Sequence, residues 1–283
     1  MSGSDPSLAR PASLGEAVEA LGNGARPLAG GTDLVQLVRD RLVPTETLVD
    51  VRGLLPRGIE GERVGAGTTL SELERTDAVP NALREACRLA ASPQLRNMGT
   101  IGGNLLQATR CWYWRLAFPC YLHGGDHCHA REGEHREHAI FANESCASAH
   151  PSDPAAALLA LGAEVETTVR RFPLGELYRL PTDADRSLTT LGRDELILAL
   201  HVPKPDASLY LKAMDRRRFS FALVGVAAAR FSGRTQLALA GIAPTPWKLD
   251  SPEDLDAATP LPGTEYKLEI ARALVRRALE QLP

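Results

Sequence analysis

Two glycine-rich stretches hold residues whose types and spacing could bind a phosphorylated ligand. The first is Leu28-Ala29-Gly30-Gly31-Thr32-Asp33-Leu34. Adjacent glycines allow positive φ and leave no Cβ in the way of a ligand approaching the backbone. Thr32 and Asp33 then read as an N-cap for the apolar-periodic run Leu34, Leu37, Val38 and Leu42, so free backbone N–H groups would face whatever fills the turn. The second stretch, Arg96 to Leu105, has Gly99, Gly102 and Gly103 close together, with Thr100 and Asn104 beside them. A bulge between strands explains glycines at one such point. Two separate loops, each with a threonine and a short polar partner, fit an elongated phosphorylated cofactor.

A third constellation is rich in soft ligands. Cys111, Cys120, Cys128 and Cys146 follow the spacing C-x8-C-x7-C-x17-C, and six of the seven histidines, His123, His127, His129, His135, His138 and His150, fall among or just after them. Paired C-x2-C knuckles of structural zinc are missing, and the run is no common ferredoxin pattern. Ligand softness alone leaves zinc and an iron–sulfur cluster equally open. Trp112, Tyr113 and Trp114 could shield a metal centre from water or simply pack the insertion. The fifth cysteine, Cys87, lies beside Ala86, Leu89 and Ala90 in a predicted helix and reads as a small buried apolar residue.

The elements that must position these residues follow from periodicity. Apolar side chains at Leu14, Ala17, Val18 and Leu21 predict a helix over 12–22, capped by Ser13 and stopped by Gly22. A strand at 27–29, a helix at 34–42 and a strand at 47–51 complete a small β-α-β unit. Strand and turn follow at 63–70, then a short helix capped by Ser71 and a longer one over 80–91. Residues 154–169 predict a helix and a strand. Strands at 195–202, 222–231 and 235–243 with a helix over 264–282 predict a small sheet backed by a C-terminal helix.

Composition bounds the partners. Hydrophobic residues make up 44% and charged residues 24% of the 283, with a net charge of -3, which gives no electrostatic case for nucleic acid or an anionic membrane surface. The opening MSGSDPSLARPASL lacks a basic region followed by an apolar stretch, and no apolar run approaches the roughly 20 residues of a bilayer span. A cytoplasmic protein is expected, with its cysteines reduced.

The order AGGTDL, LVDV, GAGTTLSEL, RNMGTIGGNL, PSDPAAALLALGAEV and DELILALHVP resembles the FAD-binding subunit or domain of the molybdenum hydroxylase family, which includes xanthine dehydrogenases, aldehyde oxidoreductases and carbon monoxide dehydrogenase. The resemblance covers nearly the whole chain. It implies an α+β architecture of the p-cresol methylhydroxylase type: an FAD-binding domain over 1–170, made of α/β subdomains 1–53 and 54–170 with a Cys-rich insertion at 107–150, and a small C-terminal α+β domain over 171–283. It implies that Leu28, Ala29, Gly30, Gly31, Thr32, Asp33 and Leu34 wrap the FAD pyrophosphate and that Thr100, Gly103 and Asn104 bind near the phosphates and ribityl chain. Asp153 would hydrogen-bond a cofactor hydroxyl, and Lys212 matches a family lysine near the flavin. The pattern NLLQATRCWYWR…PC…C…C…HPSD is similar to the aldehyde oxidoreductase kind, which implies a [4Fe-4S] cluster on Cys111, Cys120, Cys128 and Cys146. The segment between Trp247 and Tyr266 is shorter than the resemblance implies.

The expected function is that of an FAD-dependent electron-transfer subunit with no catalytic residue of its own for substrate. A molybdopterin-binding large subunit and a [2Fe-2S] small subunit would be its partners. Alternatives are a free-standing flavoenzyme acting directly on a small molecule and a non-catalytic zinc-stabilised binding protein. Because the glycine loops lie outside the Cys-rich insertion, FAD is expected largely to survive replacement of Cys120 or Cys128 by serine.

Overall fold

The computed structural model describes residues 5–216 and 219–282. Three sheets carry the fold. Strands β1 (Ser7–Ala9), β2 (Arg26–Leu28) and β3 (Thr47–Asp50) form a parallel sheet in the order β1-β3-β2. The Leu14–Gly22 helix is capped as its sequence predicts, the Ser13 hydroxyl accepting from the Glu16 amide. Its buried Ala17 and Leu21 pack with Val49, Val51 and Leu196. The strand at Ser7–Ala9 had no alternating signal and exists because β3 offers it an edge.

Strands β4 (Ile59–Glu60), β5 (Arg63–Gly65), β6 (Glu164–Thr167), β7 (Arg171–Pro173) and β8 (Ile197–His201) make an antiparallel sheet in the order β4-β5-β8-β6-β7. This corrects the grouping of 195–202 with the C-terminal sheet. The run fits either place by periodicity, and the partners that decide, β5 and β6, are both distant in sequence. Strands β9 (Ala207–Ala213), β10 (Val224–Phe231), β11 (Arg234–Ala240) and β12 (Trp247–Leu249) form the third sheet, a four-stranded antiparallel meander, covered by the Glu265–Gln281 helix.

One core runs through the second and third sheets. The Asp153–Ala160 helix is buried along almost its whole length, and its alanines let it lie close against β10 and β11 on one side and the Asn81–Leu89 helix on another. Val64, Leu158, Leu200, Ala227 and Ala238 share this core. Cys87 lies in it fully buried, as expected of a small apolar residue. A second correction concerns the short helix at Leu70–Glu74. Its cap is Thr69, not Ser71, in a capping box with Glu72.

Candidate functional site

The two glycine stretches meet. A Cβ on Gly30 would sit 2.0 Å from the Met98 carbonyl oxygen, and one on Gly99 would touch the Thr32 hydroxyl at 3.4 Å. Both loops border a cavity of about 700 Å³. Leu28 ends β2, and Ala29, Gly30, Gly31, Thr32, Asp33 and Leu34 line the cavity directly. Gly31 has φ +70, the left-handed region that suits glycine. Among the described residues the amide N–H groups of Gly30 through Leu34 have no hydrogen-bond partner. Unpaired amides at a cavity wall suit anionic oxygens.

The second loop differs in kind. Its amides are largely spent inside the protein: Ile101 on Thr68, Gly102 on Ala66, and Gly103 on the Thr100 hydroxyl. Thr100, Gly103 and Asn104 border the cavity, but the Thr100 side chain caps the Ile101–Leu105 helix. The Asn104 amide oxygen accepts from Ser152 at 2.6 Å. This loop therefore supplies close backbone approach more than donors.

Asp153 borders the cavity while Lys212 does not. The Lys212 ammonium donates to Asp153 Oδ2 at 2.7 Å and to the Leu89 carbonyl at 2.9 Å, and Tyr210 donates to Asp153 Oδ1 at 2.5 Å. Burial pushes the Asp153 carboxyl up, opposed by Lys212. Lys212 is thus an internal counter-charge that fixes Asp153. Gly225, which sequence reading missed, faces Lys212 across the β9–β10 pair, and a Cβ there would lie 2.0 Å from the Tyr210 hydroxyl.

The four cysteines of the insertion, scattered over 36 residues of sequence, all line one small void together with Tyr113 and Trp114. None is in a disulfide. The Cys146 thiol and the backbone N–H groups of Ala147, Ala130 and Arg131 hold Cys128 down, to about 5, against burial, while Cys146 is pushed well up. His138 contacts Cys111 Sγ at 3.2 Å. Among the described residues no group of three or more His, Cys, Asp or Glu has the geometry of a single-ion site. Four cysteines lining a common void bring together soft sulfur donors, which ligate a metal only once deprotonated. Trp112 does not reach this void; it lines a second cavity of about 340 Å³.

The expected capping role of the Asp33 side chain is also corrected. Asp33 occupies the cap position of the Leu34–Arg39 helix without a side-chain capping bond. Its Oδ1 instead accepts from Arg115 at 2.9 Å and lies 3.1 Å from Arg110, and its Oδ2 accepts from the Ala108 amide at 2.8 Å. Arg110 and Arg115 were missed in the sequence because two arginines flanking a cysteine carry no spacing signal of their own. Ion pairing across more than 70 residues is a tertiary fact.

Residues 4–205 match the family described as the FAD binding domain in molybdopterin dehydrogenase. Over 247 residues the chain is 38% identical to the aldehyde oxidoreductase FAD-binding subunit PaoB of Escherichia coli strain K12, covering 81% of this chain and 78% of that protein. It is 42% identical over 107 residues to the carbon monoxide dehydrogenase medium chain of Afipia carboxidovorans, covering 34% of this chain and 37% of that one. In fold it is similar to a chain of reconstituted CO dehydrogenase from Oligotropha carboxidovorans, with a TM-score of 0.71 at 24% identity, covering 99% of this chain and 98% of the other.

Proposed function

The chain belongs to the family of FAD binding domains in molybdopterin dehydrogenases, and from that premise we propose that it is the FAD-binding electron-transfer subunit of a molybdenum-dependent dehydrogenase. A molybdopterin-binding large subunit would oxidise the substrate, and a [2Fe-2S] small subunit would deliver electrons here. Bound FAD supplies the redox chemistry, taking electrons in and passing them to an acceptor. The observation that carries the reading is the row of unpaired amides from Gly30 to Leu34 on the wall of a cavity of about 700 Å³.

On this reading Leu28 through Leu34 form the turn whose amides receive the cofactor diphosphate. Gly103 and Asn104 border the phosphates and ribityl chain, and Thr100 shapes that loop by capping its helix. Asp153, held by Lys212 and Tyr210, offers a fixed acceptor to a cofactor hydroxyl. Lys212 acts through Asp153 and makes no contact with the cavity. Cys111, Cys120, Cys128 and Cys146 would hold a [4Fe-4S] cluster, supported by their convergence on one void. Cysteines without a disulfide partner fit a reducing, cytoplasmic setting. No helix among the described residues is long and apolar enough to cross a membrane. The free-standing flavoenzyme, which the short segment between Trp247 and Tyr266 leaves open, is not favoured by the relatives, which are subunits or medium chains.

Anaerobic purification tests the reading. Stoichiometric FAD, with about four iron and four sulfide per chain and an absorption band that bleaches on reduction, is the expected result. Absence of flavin overturns the flavin assignment, stoichiometric zinc without sulfide overturns the cluster, and turnover of a small substrate by the isolated chain overturns the subunit role.

A further inference from the structure

Asp33 stands inside the run of unpaired amides, yet every partner of its carboxylate comes from the Cys-rich insertion: Arg115, Arg110 and the Ala108 amide. Arg115 is itself fixed. It donates to the Thr109 carbonyl at 2.8 Å and contacts the Ala108 carbonyl at 3.3 Å. The side chains are 15% exposed for Asp33, 14% for Arg115 and 28% for Arg110, so solvent screens this node much less than a surface pair. Two guanidinium groups against one carboxylate leave an excess positive charge, and Arg115 Nη1 and Arg110 Nε are buried with no hydrogen-bond partner. Arg110 also lines the cavity and adjoins Cys111, while Arg115 follows Trp114, which lines both the cavity and the cysteine void.

We propose that the Asp33–Arg110–Arg115 node couples the two sites, so that FAD binding at the glycine loop and the ordering of the Cys-rich insertion stabilise each other. This rests on the reading that the loop holds FAD. Disordering the insertion strips Asp33 of all three carboxylate partners and leaves its charge in a half-closed site. The loop that should present its amides as a set then loses its anchor. Ordering the diphosphate in the loop, in turn, fixes Asp33 and with it the 108–115 segment that starts the insertion. Linkage makes the effect reciprocal: whatever factor the insertion contributes to FAD affinity, FAD contributes to the order of the insertion. Arg110 and Arg115 are positioning residues here.

The test uses the full-length, metal-free, reduced protein, with FAD and a thiol-alkylating reagent as probes. Alkylation rates of Cys111 and Cys128, which are partly accessible, are followed by mass spectrometry with and without FAD, and buried Cys87 reports global unfolding. In the wild type FAD should slow alkylation of Cys111 and Cys128 relative to Cys87 by at least about fivefold, the lower end of ordinary coupling. Arg115→Met should weaken FAD binding by at least about fivefold and abolish the protection. Asp33→Asn, which attacks the same contact from the loop side, should do likewise, and Arg115→Lys should fall between. Wild-type affinity with undiminished protection in both Arg115→Met and Asp33→Asn overturns the coupling alone. A wild-type chain that binds no FAD overturns the flavin reading together with it.

Discussion

Gly30 is the residue on which the cofactor region is least forgiving. A methyl group there would meet the Met98 carbonyl oxygen at 2.0 Å and its carbonyl carbon at 2.8 Å, and backbone cannot rotate aside as a side chain can. Gly30→Ala should therefore force the two loops apart and lose FAD, whereas Gly22→Ala, with nothing within 4 Å, should keep it. Retained flavin in purified Gly30→Ala would refute the close approach of the loops. Lys212 makes a second prediction. Removing one partner of a buried ion pair costs about 3–5 kcal/mol, so Lys212→Met should be strongly destabilised. Without the lysine the carboxyl of Asp153, already held up by burial, rises further and stays protonated in the folded state while it ionises in the unfolded one. A raised acid contributes stability below its unfolded pKa and loses it as pH rises toward the folded pKa. The deficit of Lys212→Met should accordingly grow from pH 5 to pH 8, and Asp153→Asn in the same chain should flatten it. Urea melts at the two pH values decide this.

Among the elements, the Leu70–Glu74 helix depends on its cap because five residues are too few to be stable alone. Thr69 both caps it and pairs with Thr100 in the second glycine loop. Thr69→Ala should cost about 1 kcal/mol in a denaturation midpoint, and an unchanged midpoint would show that the box is incidental. The Cys-rich insertion has little regular structure, with helices of only four residues at Trp112–Arg115 and His129–Glu132. Its order must come from outside contacts and, on the proposed reading, from its thiolate set. Cys120→Ser should lower iron content while Cys87→Ser leaves it unchanged, and equal iron in both proteins would remove Cys120 from the ligand set.

Across the whole molecule, Lys267 joins the Cys-rich segment to the Glu265–Gln281 helix and the end of β11. It is fully buried in the Glu265–Gln281 helix, and its ammonium donates to the carbonyls of Glu137, His138 and Gly241 at 2.7–2.9 Å. Ile140 and Phe141, within the insertion, complete the core around Val224, Leu237 and Val275. Lys267→Met leaves three carbonyls without their donor, each unmet buried acceptor costing about 1–3 kcal/mol. Limited proteolysis of that variant should begin within 107–150. A wild-type cleavage pattern would show that the clamp is dispensable.

What the sequence by itself determined is what short-range chemistry determines. The glycine loops, the helices over 12–22 and 80–91 and the C-terminal helix were legible because capping, glycine conformation and apolar spacing act over a few residues; the Leu14–Gly22, Asn81–Leu89 and Glu265–Gln281 helices lie where they should. The order of motifs pointed to the family. Tertiary structure alone decided which sheet received 197–201, that Lys212 would be spent on Asp153, and that Asp33 would serve the insertion and not its own helix. Each of those choices pairs groups dozens of residues apart, and the free energy of a buried charge or strand edge depends on which partner the folded chain brings to it. The same reason explains the cysteines: their spacing shows four thiols, and only the fold turns them toward one point.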